Sequence, residues 1–116
     1  MAAWLDTRLP QEARLLVSPA QRARQTAQAL SRAFKISPAV KTDMQAVDVL
    51  KAVGWPGATG TVVVVGHQPT LGAAAALALT GTAAPWRLKK GSVWWISCDS
   101  EGVRPLVVAV ISPDVL

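Results

Sequence analysis

The sequence predicts an α/β fold: a mixed, mostly parallel sheet flanked by helices. Three observations carry that expectation. Short apolar runs alternate with segments of helical period, in the order strand, helix, helix, strand, helix and then a hairpin. That succession layers helices over a sheet. The run Thr61-Val62-Val63-Val64-Val65 holds four consecutive valines, the pattern of a strand buried on both faces. Hydrophobic residues make up 51% of the chain but aromatics only 5%, so the core is built of Ala, Val and Leu.

Each element follows from local chemistry. Arg14-Leu15-Leu16-Val17 reads as a short buried strand. Ser18-Pro19 then opens a helix, with Ser18 as N-cap, Pro19 in the first helical position and Gln21 completing a capping box. Ala20, Ala23, Ala27, Leu30 and Phe34 recur at spacings of three and four, one apolar stripe that carries the helix to about Phe34, before Pro38. A second helix is expected from about Asp43 to Val53, with Met44, Val47, Leu50 and Val53 inward and Gly54 and Pro56 ending it. After the Thr61–Val65 strand, Gly66-His67-Gln68-Pro69-Thr70 turns the chain into a third helix. It spans about Leu71 to Leu79 and is closed by Gly81. Ser92–Ser97 and Pro105–Ile111 read as strands joined by the turn Asp99-Ser100-Glu101-Gly102.

Composition excludes several classes. A chain of 116 residues with 16% charged residues is read as one domain, 1–116, too short for a multidomain enzyme and too apolar for a disordered tail. The single cysteine, Cys98, cannot form an internal disulfide, and no Cys/His spacing suits zinc, so no metal or cofactor is expected. This usage suits the cytoplasm. Met1 to Asp6 lack the features of a signal peptide, and Leu71–Leu79 is too short to span a bilayer. The net charge of +5 favours anionic partners. The basic residues are dispersed and not interleaved with aromatics, which disfavours nucleic acid.

Two strand ends hold the candidate chemistry, because ligands of such sheets bind beyond the carboxyl ends of strands. Val17 leads into Ser18 and Arg22. An arginine beside a helix N-terminus offers a fork of donors to phosphate oxygens, although Arg22 also reads as a solvated surface arginine like Arg24 or Arg32. Val65 leads into Gly66 and His67, the only histidine, which reads either as a functional group or as a turn residue. Trp94 and Trp95 adjoin on a strand and are read as packing. The Arg87, Lys89 and Lys90 cluster is read as a solvated loop. Cys98 has no basic neighbour in sequence to activate it and is read as inert.

Together these residues resemble a known family. Ser18-Pro19-Ala20-Gln21-Arg22-Ala23-Arg24-Gln25-Thr26-Ala27 resembles the S-P-x-x-R-A-x-Q-T-A signature of the histidine phosphatase superfamily, of phosphoglycerate mutase-like fold. Val64-Val65-Gly66-His67-Gln68-Pro69 resembles its second signature, an apolar strand ending in Gly-His. The short separation is most similar to the SixA-type phosphohistidine phosphatases. The resemblance implies transfer of a phosphoryl group from a phosphorylated protein or small molecule to an enzyme histidine, without a metal. It implies that Arg22 clamps phosphate, that Ser18 lies in the phosphate site, and that His67 is the second histidine, donating to phosphoryl oxygens rather than attacking.

The family's nucleophile stands in an Arg-His-Gly motif after its first strand, and this sequence contains none. Met1 to Leu5 resemble the end of the family's first helix. The resemblance therefore implies that the first strand and the nucleophile are absent from this chain and that the natural product is longer. It further implies that the Thr61–Val65 strand lacks backbone partners on one side, so that the 116 residues alone are not expected to behave as a stable, cooperatively unfolding monomer. Among acids, Glu12, Asp43 and Asp48 are candidates for protonating a leaving group, and none falls in a matched motif. A phosphate-binding module without turnover is the alternative reading.

Overall fold

A computed structural model describes residues 1–57, 60–99, 101, 102 and 104–115. Helix α1 (Ala2–Asp6) precedes strand β1 (Arg14–Val17), helix α2 (Gln21–Gln28) and strand β2 (Lys35–Ile36). A 3₁₀ turn (Pro38–Val40) leads to helix α3 (Ala46–Val53), strand β3 (Val62–Val65) and helix α4 (Thr70–Thr80). Strands β4 (Val93–Cys98) and β5 (Pro105–Ile111) follow, then a 3₁₀ turn (Pro113–Val115).

Strands β2, β1 and β3 form one parallel sheet with β1 in the centre. The register sets Arg14 against Val62 and Val17 against Val65. Strands β4 and β5 pair antiparallel as a sheet of their own, with a bulge at Trp95/Ile96. The expected turn between them closes with the Gly102 N–H donating to the Asp99 carbonyl at 3.0 Å; Ser100 of that turn lies outside the described residues.

Alternation along the strands divides the interior in two. Val17, Val63 and Val65 join Leu5, Leu9, Ala23, Ala27 and Leu30 on the side of α1 and α2. Val64 joins Val40, Ala46, Val49 and Ala74 on the side of α3 and α4. Val17 is fully buried, whereas all four valines of β3 are only half-buried. Both faces of β3 are packed, as its valine run implied, and its partial exposure follows from its place at the edge of the sheet, where the resemblance implied that one side lacks backbone partners.

Two helices differ from expectation. Helix α2 ends at Gln28, not Phe34. Its last turn tightens into bonds from the Leu30 N–H to the Ala27 carbonyl and the Ser31 N–H to the Gln28 carbonyl, and Ser31 turns left-handed at φ 53°. Leu30 and Phe34 still reach the core from the irregular segment. Helix α3 starts at Ala46 rather than Asp43, because the Asp48 carboxylate accepts the Gln45 N–H at 2.9 Å and caps it there. Its buried residues are Ala46 and Val49, and Val47, expected inward, is exposed. Gly54 and Gly81 end α3 and α4 at φ 75° and 82° as expected, a conformation that glycine adopts without steric cost.

Candidate functional site

The parallel register of β1 and β3 brings their carboxyl ends side by side. The Ser18 N–H donates to the Val65 carbonyl at 2.9 Å, extending the ladder one residue beyond Val17. Ser18 and His67, 49 positions apart in sequence, therefore emerge together, and Ser18 Oγ lies 2.6 Å from His67 Nε2. Ser18 is completely buried and His67 is half-buried.

This contact corrects the reading of Ser18 as a helix cap. The N-cap of α2 is Ala20, in an extended conformation and with no side-chain cap bond. The expected Ser18/Gln21 capping box does not form. Ser18 Oγ instead accepts the Ala20 N–H at 3.2 Å, closing a local turn ahead of the helix. Proline at position 19 and the early bend leave the hydroxyl pointing across to β3 rather than along α2.

Arg22 is the second residue of α2. Its side chain is exposed and has no hydrogen bond or ion pair among the described residues, so its donors are unspent. The structure thus joins Ser18 to His67 by direct contact and sets Arg22 on the adjoining first helical turn, without contact between the arginine and the pair. The N–H groups of that first turn also lack intrahelical partners, which makes this end of the sheet rich in donors.

The segment after His67 is fixed from several directions. The His67 carbonyl accepts the Leu71 N–H at 2.9 Å. Gln68, which precedes a cis peptide to Pro69, accepts the Gly72 N–H with Oε1 at 2.8 Å and donates through Nε2 to the Leu88 carbonyl at 3.2 Å. The buried Thr70 donates to the Met44 carbonyl at 2.8 Å. Gln68 was missed by sequence reasoning. Its signal is a glutamine at the entry of a helix, where a side-chain oxygen can satisfy a free N–H.

The remaining candidates fall outside this site. Asp48 is spent on capping α3, and Glu12 and Asp43 are exposed. Trp94 packs against Trp86 with ring centroids 5.9 Å apart, as a packing role requires. Lys89 pairs with Asp114, while Arg87 and Lys90 are exposed. Cys98 is a half-buried free thiol. Arg32, read as a solvated arginine, is instead mostly buried: it bonds Asp6 Oδ1 at 2.8 Å and the Pro10 carbonyl at 2.6 Å, and ties α1 to the end of α2. Among the described residues, no three His, Cys, Asp or Glu side chains come together, and no helix is long and apolar enough to cross a membrane.

The architecture matches that of solved structures. One is the protein histidine phosphatase SixA in complex with tungstate, at TM-score 0.71 and 21% identity, over 97% of this chain and 76% of that one. Another is SixA from Nakamurella multipartitia, provisionally assigned as a phosphohistidine phosphatase, at TM-score 0.70 and 22% identity, over 97% of this chain and 77% of that one. The chain has the SixA fold. No protein-family model and no curated protein matches it. The parallel sheet flanked by helices is therefore as the sequence resemblance implied.

Proposed function

We propose that this chain forms the phosphoryl-binding part of a cytoplasmic histidine phosphatase that acts on phosphohistidine in a protein. The observation that carries the reading is the meeting of Ser18 and His67 at the adjoining carboxyl ends of β1 and β3, beside the turn of α2 that presents an unpaired Arg22. An imidazole, a guanidinium and free helix N–H groups at one strand end are the donors that a phosphoryl group in transfer needs. The SixA fold supports the same reading, and the tungstate held by one of those structures is a tetrahedral oxyanion of the kind this site would hold.

In this reading the Arg22 guanidinium offsets the charge on the phosphoryl oxygens and the His67 imidazole donates a hydrogen bond to them. The nucleophile comes from outside the 116 residues, on an extended segment that pairs with the open edge of β3. The chain alone then binds oxyanions without turning substrate over. A shallow apolar groove of about 480 Å³, lined by Met44, Val47, Pro69, Thr70, Ala73 and Leu77, begins two residues beyond His67. It favours a protein substrate over a small phosphomonoester, since the residues flanking a phosphorylated side chain can rest there.

Titration with inorganic phosphate and with tungstate tests the reading. Saturable binding is expected, lost in the His67→Ala and Arg22→Ala variants. Absence of binding overturns it. Release of phosphate from a phosphohistidine protein by the 116-residue chain alone would instead make His67 the nucleophile and refute its assignment as a donor.

A further inference from the structure

We infer that Ser18 is a positioning residue that locks His67 in its Nδ1–H tautomer, so that the imidazole presents a proton rather than a lone pair to its ligand. The inference deepens the proposed function and rests on it for the identity of the ligand, but the tautomer itself follows from the hydrogen-bond inventory of a buried hydroxyl.

Ser18 Oγ carries one proton and two lone pairs. One lone pair takes the Ala20 N–H. The other polar contact is His67 Nε2 at 2.6 Å. Ser18 is fully buried, so its proton needs an acceptor inside the protein, and no other acceptor lies within its reach among the described residues. If Nε2 carried the ring proton, it would donate to Oγ and the serine proton would be stranded in the interior. An unmade buried hydrogen bond costs about 1–3 kcal/mol, enough to decide between tautomers that differ little in energy. No buried side-chain nitrogen or oxygen is left without a partner among the described residues. The arrangement that also leaves no buried hydroxyl proton unpaired has Ser18 O–H donating to an unprotonated Nε2, with the ring proton on Nδ1.

Two consequences follow. The Nε2 lone pair is engaged, so it is unavailable for attack on phosphorus. Nδ1, which has no partner among the described residues, carries an N–H that can donate to an anionic oxygen. The buried serine thereby selects the donor role for His67 over the nucleophilic one. It does so without touching the ligand, since no part of Ser18 is exposed.

The chain holds a single histidine, so its imidazole gives one set of ring resonances that need no assignment. The test is a long-range ¹H–¹⁵N correlation spectrum of the uniformly ¹⁵N-labelled chain, without phosphate, at a pH where an ordinary imidazole is neutral. Nε2 is expected to resonate as the unprotonated ring nitrogen and Nδ1 as the protonated one. In Ser18→Ala the ring is expected to revert toward the Nε2–H form that free histidine favours in water. A wild-type ring already in the Nε2–H form, or a Ser18→Ala spectrum with the Nδ1–H form intact, overturns the inference. Should Ser18→Ala not fold, the wild-type spectrum alone decides. Adding inorganic phosphate then tests the underlying reading separately. Binding about 2- to 10-fold weaker in Ser18→Ala, the worth of one hydrogen bond, is expected. A locked tautomer with no phosphate binding would refute the function and leave the role of Ser18 standing.

Discussion

Gly72→Ala separates local from tertiary control of α4. Gly72 lies in the third position of that helix, and helix propensity alone favours alanine there by about 1 kcal/mol. The surroundings reverse the sign. A Cβ built on Gly72 falls 1.7 Å from the Trp86 carbonyl oxygen and 2.8 Å from its carbon. These are backbone atoms, which cannot turn away as a side chain can. The segment around Trp86 would have to retreat by more than an ångström, and Trp86 is itself packed on Trp94. The same Cβ sits 3.0 Å from Gln68 Oε1, the acceptor of the Gly72 N–H. Overpacking of this kind costs about 1–3 kcal/mol or more, and a weakened Gln68 bond adds about 1 kcal/mol. Set against the propensity gain, a net loss of about 2 kcal/mol is expected. Urea unfolding followed by tryptophan fluorescence reads it as a midpoint lowered by about 1 M, given the usual denaturant slope for small proteins. A Gly72→Ala chain as stable as the wild type, or more so, would refute the claim that backbone approach rather than helix propensity selects glycine there.

The other predictions concern residues whose roles the fold assigns. Arg32→Ala is expected to cost about 2 kcal/mol, because it removes charged donors from the part-buried Pro10 and Leu9 carbonyls and leaves Pro10 only its bond from the Ala13 N–H. Asp6→Asn, which removes only a half-exposed ion pair, is expected to cost less than about 1 kcal/mol; equal costs in parallel urea titrations would contradict this division. Arg22→Ala is expected to weaken inorganic phosphate binding about 10-fold or more, the scale of a charge-assisted bond, while Arg24→Ala leaves it nearly unchanged. Calorimetry showing the larger loss at Arg24 would mean that the other arginine faces the anion. Val108→Lys on β5, where the native side chain is half-exposed, is expected to change stability by less than about 0.5 kcal/mol and to reduce self-association through that uncharged edge strand. Light scattering that is unchanged by the substitution would count against the edge as the sticky surface.

Much of the molecule was legible in the sequence because it depends on near neighbours. The valine run marks β3, Gly54 and Gly81 mark the helix ends, and Arg14–Val17 marks β1. The same local reading singled out Ser18 and His67, at the ends of strands, and Arg22, in the first turn of the helix that follows β1. It erred where two local preferences competed. Ser18 suits an N-cap, and the apolar stripe to Phe34 suits a longer helix, but the chain spends both differently. Leu30 and Phe34 reach the core without helical backbone, and Ser18 gives its oxygen to a turn and to an imidazole.

Those outcomes belong to the tertiary structure because they depend on register. Pairing Val17 with Val65 is what sets Ser18 against His67, and no pattern within a dozen residues of either one encodes that distance. The same is true of Arg32, whose acceptors lie more than 20 residues away, and of Gly72, whose constraint is a carbonyl from the segment before β4. Sequence alone therefore singled out the candidate site residues and the elements on or beside which they stand. The fold decided which of them meet, because a hydrogen bond or a steric contact is made across space, between groups that periodicity and propensity treat one at a time.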